Sequence, residues 1–165
     1  MTRRNWLRAL LPLGWASATA TAAADAQAAS KPTRSDAVVL TEAQWRQRLT
    51  PAQYRVLREE GTEPPGSSPL NAEKRPGTYA CAGCALPLFS HTAKYESGTG
   101  WPSFHTPLPG VLGTKTDFKL ILPRTEYHCA RCGGHQGHVF DDGPRPTGKR
   151  YCNNGLALVF VPEAA

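Results

Sequence analysis

Two cysteine knuckles, "CAGC" at 81–84 and "CARC" at 129–132, constrain this chain more than any other feature. A C-x2-C turn places two sulfurs on one ion. Two such turns complete the tetrahedral shell that zinc takes, with sulfurs about 2.3 Å from the metal. Closing that shell ties Cys81 and Cys84 to Cys129 and Cys132, so everything between them must fold as one looped insert. Gly83 and the Gly133-Gly134 pair ease the tight backbone of each knuckle. Four cysteines with no open position make a structural site and not a catalytic one. Two disulfides, or a redox-active C-x2-C pair, fit the same spacing and compete with zinc.

A fifth cysteine, Cys152 in "KRYCNNGLALVF", is left over. A lone thiol is often a small buried hydrophobe. Here Lys149 and Arg150 precede it, and adjacent cations are expected to lower its pKa and enrich the thiolate. "GGHQGHVFDD" (133–142) adds His135 and His138. Three apart on an extended run, they point to opposite faces unless the backbone turns at Gly137. Asn153 and Asn154 are amides suited to orienting a polar group. "ESGTGWPSF" (96–104) is a loop by its Gly98, Gly100 and Pro102, yet it carries Trp101 and Phe104, side chains a protein normally buries.

The rest of the chain reads as short elements. Thr41 with Gln44 and Thr50 with Gln53 are capping-box pairs, and Pro51 suits a first helical position. Two short helices follow, with Trp45 and Leu49 on one face, Tyr54 and Leu57 on another, and Gly61 ending the second. From residue 77 the pattern changes to β runs: Thr78–Cys81, Leu86–Ser90, Phe118–Leu122, Glu126–Ala130, Gly137–Phe140 and Gly155–Val161. In the last, Leu156, Leu158 and Phe160 alternate with Ala157, Val159 and Val161. The expected fold class is mainly β and antiparallel, with a short helical N-terminal segment. At 40% hydrophobic and 19% charged residues, the composition is that of one soluble domain.

The N-terminus stands apart. Arg3, Arg4 and Arg8 precede an apolar stretch and then a run of Ala, Ser and Thr, the order of a secretory signal. The paired arginines fit twin-arginine export to the bacterial periplasm. Residues 1–28 are expected to be cut after Ala28, or after Ala26, leaving a flexible lead-in (29–40) and a domain at 41–162. Pro12, Gly14 and the Ser/Thr content make the stretch a poor membrane span, so no stable insertion is expected once it is cut. The cut removes three arginines and Asp25, so the formal charge falls from +6 to +4. The remaining cations are scattered, which argues against a nucleic-acid partner.

"CAGC", "SGTGWPSF", "CARCGGHQGHVFDDGP" and "RYCNNGLALVF", in this order, closely resemble the methionine sulfoxide reductase B family over about residues 40–162. The resemblance implies two antiparallel sheets with N-terminal helices, and one structural Zn2+ on Cys81, Cys84, Cys129 and Cys132. It implies reduction of the R epimer of methionine sulfoxide in oxidised proteins, a repair reaction. Cys152 matches the nucleophile and His138 the candidate acid. His135 and Asn154 match residues that position the substrate or a bound water. Asp142 and Arg150 match supporting polar residues, and Trp101 matches the wall that receives the substrate methyl group. Many members carry a resolving cysteine where this chain has Thr99, so the resemblance implies a single-cysteine member reduced by an external thiol or thioredoxin-like donor. Gln136 stands where an apolar residue is more usual. A monomer is expected. Two other classes remain: a zinc-clip binding module in which Cys152 is a spectator, and a thiol–disulfide oxidoreductase using a C-x2-C pair.

Overall fold

The computed structural model describes residues 30, 31 and 34–164. The expected signal at 1–28 and both candidate cut sites lie outside the described residues. The lead-in is bonded to the domain from Arg34 onward. Asp36 pairs with Arg131 at 2.9 Å, and the Val38 N–H donates to the Arg131 carbonyl at 2.8 Å. No helix among the described residues is long and apolar enough to cross a membrane.

Two helices open the domain, α1 (Glu42–Arg48) and α2 (Pro51–Glu59). Both capping boxes form as expected. The Thr41 and Thr50 hydroxyls accept from Gln44 N–H and Gln53 N–H, and each Gln side chain answers the cap backbone. Trp45, Leu49, Tyr54 and Leu57 are all buried. The stop differs from the expected Gly61. Glu60 takes the left-handed conformation (φ 53), with its carboxylate held by Lys115 and, at 2.8 Å, by Lys119.

Nine strands follow: β1 (Gly77–Cys81), β2 (Pro87–Ser90), β3 (Lys94–Tyr95), β4 (Ser103–Phe104), β5 (Leu112–Asp117), β6 (Arg124–Cys129), β7 (His135–Phe140), β8 (Arg150–Asn153) and β9 (Leu158–Pro162). They make two antiparallel sheets, β2-β1-β9 and β3-β4-β8-β7-β6-β5. An aromatic core links them. Phe104 stacks on Phe89 with centroids 4.2 Å apart and meets Tyr79 edge-on at 4.9 Å. Tyr127 meets Tyr151 at 5.3 Å. Such offset and edge contacts add to the area that these rings bury. Phe104 is therefore a packing residue, as its type suggested.

Two expected strands are corrected. Residues 118–122 form no strand. They belong to the loop between β5 and β6, which pair from Asp117 opposite Arg124 inward. Ion pairing of Asp117 with Arg124 at 2.6 Å closes that hairpin before the apolar run begins. The strand itself is "LGTKTD", which carries no alternating apolar signal. The last strand also starts late. Residues 155–157 form a 3-10 turn, because the buried Glu63 carboxylate accepts the Gly155 N–H at 2.5 Å and the Leu156 N–H at 2.9 Å.

Candidate active site

Cys152 lies on β8 between β4 and β7, directly opposite Ser103 on one side and His138 on the other. Glu126 on β6 is opposite His138 in turn. The strands approach so closely at Gly137 that a Cβ there would overlap the Cys152 carbonyl oxygen. Cys152 faces a pocket of about 120 Å3, lined also by Trp101, Arg124, His138, Phe140 and Asn154. That is small beside the ~300–1,000 Å3 of ordinary ligand sites, and it suits one side chain.

The apolar wall is Trp101. Its indole Nε1–H donates to the Glu63 carbonyl at 3.1 Å. Gly100 has φ +90, and a Cβ there would lie 2.8 Å from Pro65 Cβ, so glycine lets the loop pass beneath the 62–66 strap. The strap holds a second wall. Glu63 N–H donates to Asn154 Oδ1 at 3.0 Å, and Asn154 Nδ2 donates to the Gln136 carbonyl at 3.0 Å. Glu63 thus ties the indole, the Asn154 amide and the turn after Cys152 into one unit.

The polar side is built on Asp117. Its Oδ2 is 2.7 Å from His138 Nε2 and also takes Arg124, while its Oδ1 accepts the Lys119 N–H at 2.9 Å. Burial opposes ionisation of Asp117, but these donors outweigh it and hold the carboxyl well below its usual range. Burial pushes His138 below the ordinary imidazole range, partly offset by Asp117. Burial also pushes the Cys152 thiol up, and Thr99 and Arg150 offset it only in part. This corrects the expectation of a thiol with a lowered pKa. Lys149 is occupied by Asp141, and Arg150 grips Asp142 by two bonds of 2.8 and 2.7 Å while lying 4.3 Å over the Phe140 ring. At neutral pH the pair is a thiol and a neutral imidazole.

His135 and His138 do not diverge. The β6–β7 register shifts between Tyr127 and His128, making Gln136 an extra residue, and the two rings lie with centroids 5.5 Å apart. His135 Nδ1 meets Glu126 Oε1 at 2.8 Å, and His128 Nδ1 meets the other oxygen at 3.1 Å. Burial would raise the Glu126 pKa, but the two imidazoles bring it down to about 2. His135 Nε2 is buried with no protein partner. Thr99 faces the nucleophile. Its hydroxyl is 4.0 Å from Cys152 Sγ and 2.9 Å from Ser97 Oγ.

Away from the pocket, the sulfurs of Cys81, Cys84, Cys129 and Cys132 all lie within 4.8 Å of one another and are buried. Cys81 Sγ is 3.7 Å from Cys132 Sγ, and Cys84 Sγ is 3.5 Å from Cys129 Sγ. A tetrahedron with sulfurs about 2.3 Å from its centre has edges of about 3.8 Å, whereas a disulfide needs about 2.05 Å. The donor set therefore fits a four-coordinate metal ion, and these cysteines are free of disulfides.

Comparison with known proteins agrees with this arrangement. Residues 49–162 match the SelR domain family. The chain is 52% identical to the peptide methionine sulfoxide reductase MsrB of Leptospira interrogans, over 72% of this chain and 92% of that protein. It is 50% identical to the MsrB of Agrobacterium fabrum, over 74% of this chain and 91% of that protein. It is 46% identical to the mitochondrial methionine-R-sulfoxide reductase B3 of Mus musculus, over 76% of this chain and half of that protein. The chain belongs to the methionine sulfoxide reductase B family.

Of the residues that the family resemblance singled out, Trp101, His138, Cys152 and Asn154 line the pocket. His135 stands behind His138, and the Asp142–Arg150 pair stands beside Phe140. Sequence reasoning missed Asp117, Glu126, Arg124 and Glu63. An Asp or Glu inside a polar stretch carries no local signal. What makes these four matter is strand register and a strap crossing from residue 63 to residues 154–156.

Proposed function

We propose that this chain reduces the R epimer of methionine sulfoxide, in oxidised proteins, to methionine. The observation that carries the reading is the pairing of Cys152 with His138 across β7 and β8, facing an indole wall. Methionine sulfoxide bears an apolar methyl and a polar oxygen on one sulfur, so its site needs an apolar face opposite proton-carrying groups. The R epimer rests on the name of the mouse relative, a methionine-R-sulfoxide reductase, and on the family resemblance.

The chemistry begins with a neutral pair. Asp117 accepts from His138 Nε2, which leaves Nδ1 as the unprotonated ring nitrogen. His138 takes the Cys152 proton, and the thiolate sulfur attacks the sulfoxide sulfur. His138 then returns that proton to the departing oxygen. The S–O bond breaks and releases hydroxide, which attacks the Cys152 sulfur. The new sulfur–sulfur bond then breaks with its electron pair passing to the substrate sulfur, so the substrate leaves as methionine and Cys152 is oxidised by two electrons to its sulfenic acid. His135, buried behind His138 with Nε2 unpartnered, would hold a water there. Thr99 cannot form a disulfide, so an external dithiol of the thioredoxin type reduces the sulfenic acid, releasing water and becoming a disulfide.

Cys81, Cys84, Cys129 and Cys132 would hold one Zn2+, which supplies structure and no chemistry to the pocket. The basic, apolar and small-residue order of residues 1–28 supports export through the twin-arginine route to the periplasm, and a monomer is proposed there. The activity is tested by offering peptides with separated S and R sulfoxides together with dithiothreitol. R-selective turnover that is lost in Cys152→Ser supports the reading. Folded, metal-loaded protein that turns over neither epimer would leave the binding-module reading in its place.

A further inference from the structure

The loop between β5 and β6 carries the apolar run that periodicity assigned to a strand. It is held at its base. Asp117 pairs with Arg124 and accepts the Lys119 N–H, and Lys119 Nζ reaches Glu60 at 2.8 Å. With its polar members tied inward, the loop turns its apolar ones out. Phe118 is 75% exposed, Leu120 58% and Leu122 76%, and Ile121 is fully exposed. They are four of the seven exposed large hydrophobic side chains among the described residues, gathered within five positions. Single exposed hydrophobics need no explanation, but a contiguous patch does.

Beside this loop runs a shallow groove of about 740 Å3, lined by Leu120, Ile121, Leu122, Val139 and Phe140, with Arg124 at its edge. Arg124 and Phe140 also line the Cys152 pocket. The groove therefore adjoins the pocket, with Arg124 and Phe140 common to both.

Resting on the reductase reading above, we propose that the Phe118–Leu122 loop and its groove are a docking surface for the apolar residues that flank methionine sulfoxide in an unfolded polypeptide. The pocket holds only one side chain, so a polypeptide that delivers it must lie across the rim. Methionine is among the most buried residue types. The stretch around an oxidised methionine is therefore commonly core sequence, rich in leucine, isoleucine and valine. The two charged side chains that line the groove, Arg124 and Asp141, are each paired, with Asp117 and Lys149, so the groove offers such residues a mainly apolar surface. One loop is small for a second copy of the chain, because a stable interface takes roughly 20–30 residues a side.

The test uses two peptides of equal length, each with one R-methionine sulfoxide, flanked by leucine and isoleucine in one and by serine and glycine in the other. Dithiothreitol is the reductant, so docking of a protein donor does not enter. The wild-type chain is expected to favour the apolar peptide by roughly tenfold in kcat/KM, through KM, as burial of about one aliphatic side chain gives. The double variant Ile121→Ser, Leu122→Ser is expected to lose that preference while its rate on the polar peptide and its melting curve stay unchanged. Equal kcat/KM for the two peptides in the wild type, or a preference that survives in the variant, overturns the proposal. So does a dimer, or binding to anionic lipid vesicles, that the variant abolishes with no change in peptide preference. Turnover of neither peptide sinks the reductase reading itself, whereas turnover of both without preference sinks only the docking surface.

Discussion

Cys152 and His138 face each other across two strands, and burial sets the protonation of both. The thiol stands above its ordinary value of 9.0, so its thiolate grows only as the pH rises through that raised value. Alkylation of Cys152 by iodoacetamide should therefore keep accelerating past pH 9. A plateau below pH 8 would mean a stabilised thiolate and would contradict the neutral pair. His138→Ala should lower kcat by about a hundredfold or more, as loss of a positioned proton carrier does, measured at saturating peptide. Position 99 gives a gain-of-function prediction. In Thr99→Cys, a sulfur stands where the hydroxyl is now 4.0 Å from Cys152 Sγ. After one turnover without reductant, the sulfenic acid should condense with it, release water and leave a disulfide, read as the loss of two free thiols. A persistent sulfenic acid in that variant would show that position 99 does not reach the nucleophile. At this scale the sequence was informative where residue type announces chemistry, as for Cys152, Trp101 and the histidines. It was silent on Asp117 and Glu126, whose partners come from other strands. It misled on Lys149, whose charge is spent on Asp141.

Elements place these residues, and their placement depends on a few backbone facts. Gly137 lets β7 approach β8 at the nucleophile. Gly137→Ala should destabilise the fold by about 1–3 kcal/mol, the usual cost of forcing an atom into a packed site, and should depress turnover beyond the loss of folded protein. Urea unfolding followed beside activity checks both. The helices were legible because capping boxes and Pro51 act within four residues. The strands were legible only in part. The run 118–122 has strand composition, but the Asp117–Arg124 pair closes the hairpin before it. The three residues 155–157 alternate like a strand, but the Glu63 carboxylate curls them into a turn. In the first case an ion pair flanking the run overrode a local pattern, and in the second a carboxylate some ninety positions away did so; periodicity registers neither. The bulge at Gln136 is of the same kind. It joins two histidines that strict alternation would separate.

For the whole molecule, the four-cysteine clip and the buried carboxylates decide stability. The clip was the most legible feature of all: spacing brought the four cysteines together, and the sulfur separations of 3.5 and 3.7 Å then favoured a metal over disulfides. Cys81→Ser, or exhaustive chelation, should lower the melting temperature by more than about 10 °C, given the large binding energies of structural zinc. An unchanged melting curve would remove the clip from the account of the fold. Glu126 contributes with the opposite trigger. Its pKa falls from 4.5 to about 2 on folding, so its contribution is present above pH 4.5 and is lost as the pH falls toward 2. Wild type should therefore lose stability faster than Glu126→Gln across that acid window. The proposed reaction moves an oxygen from the substrate sulfur to the sulfur of Cys152. It is tested most directly by mixing the reduced chain with one equivalent of a peptide R-methionine sulfoxide, without reductant, and trapping with dimedone. One methionine formed and one dimedone adduct per chain, at Cys152, is the predicted result. Methionine formed with the adduct elsewhere, or no adduct with folded protein, would contradict it.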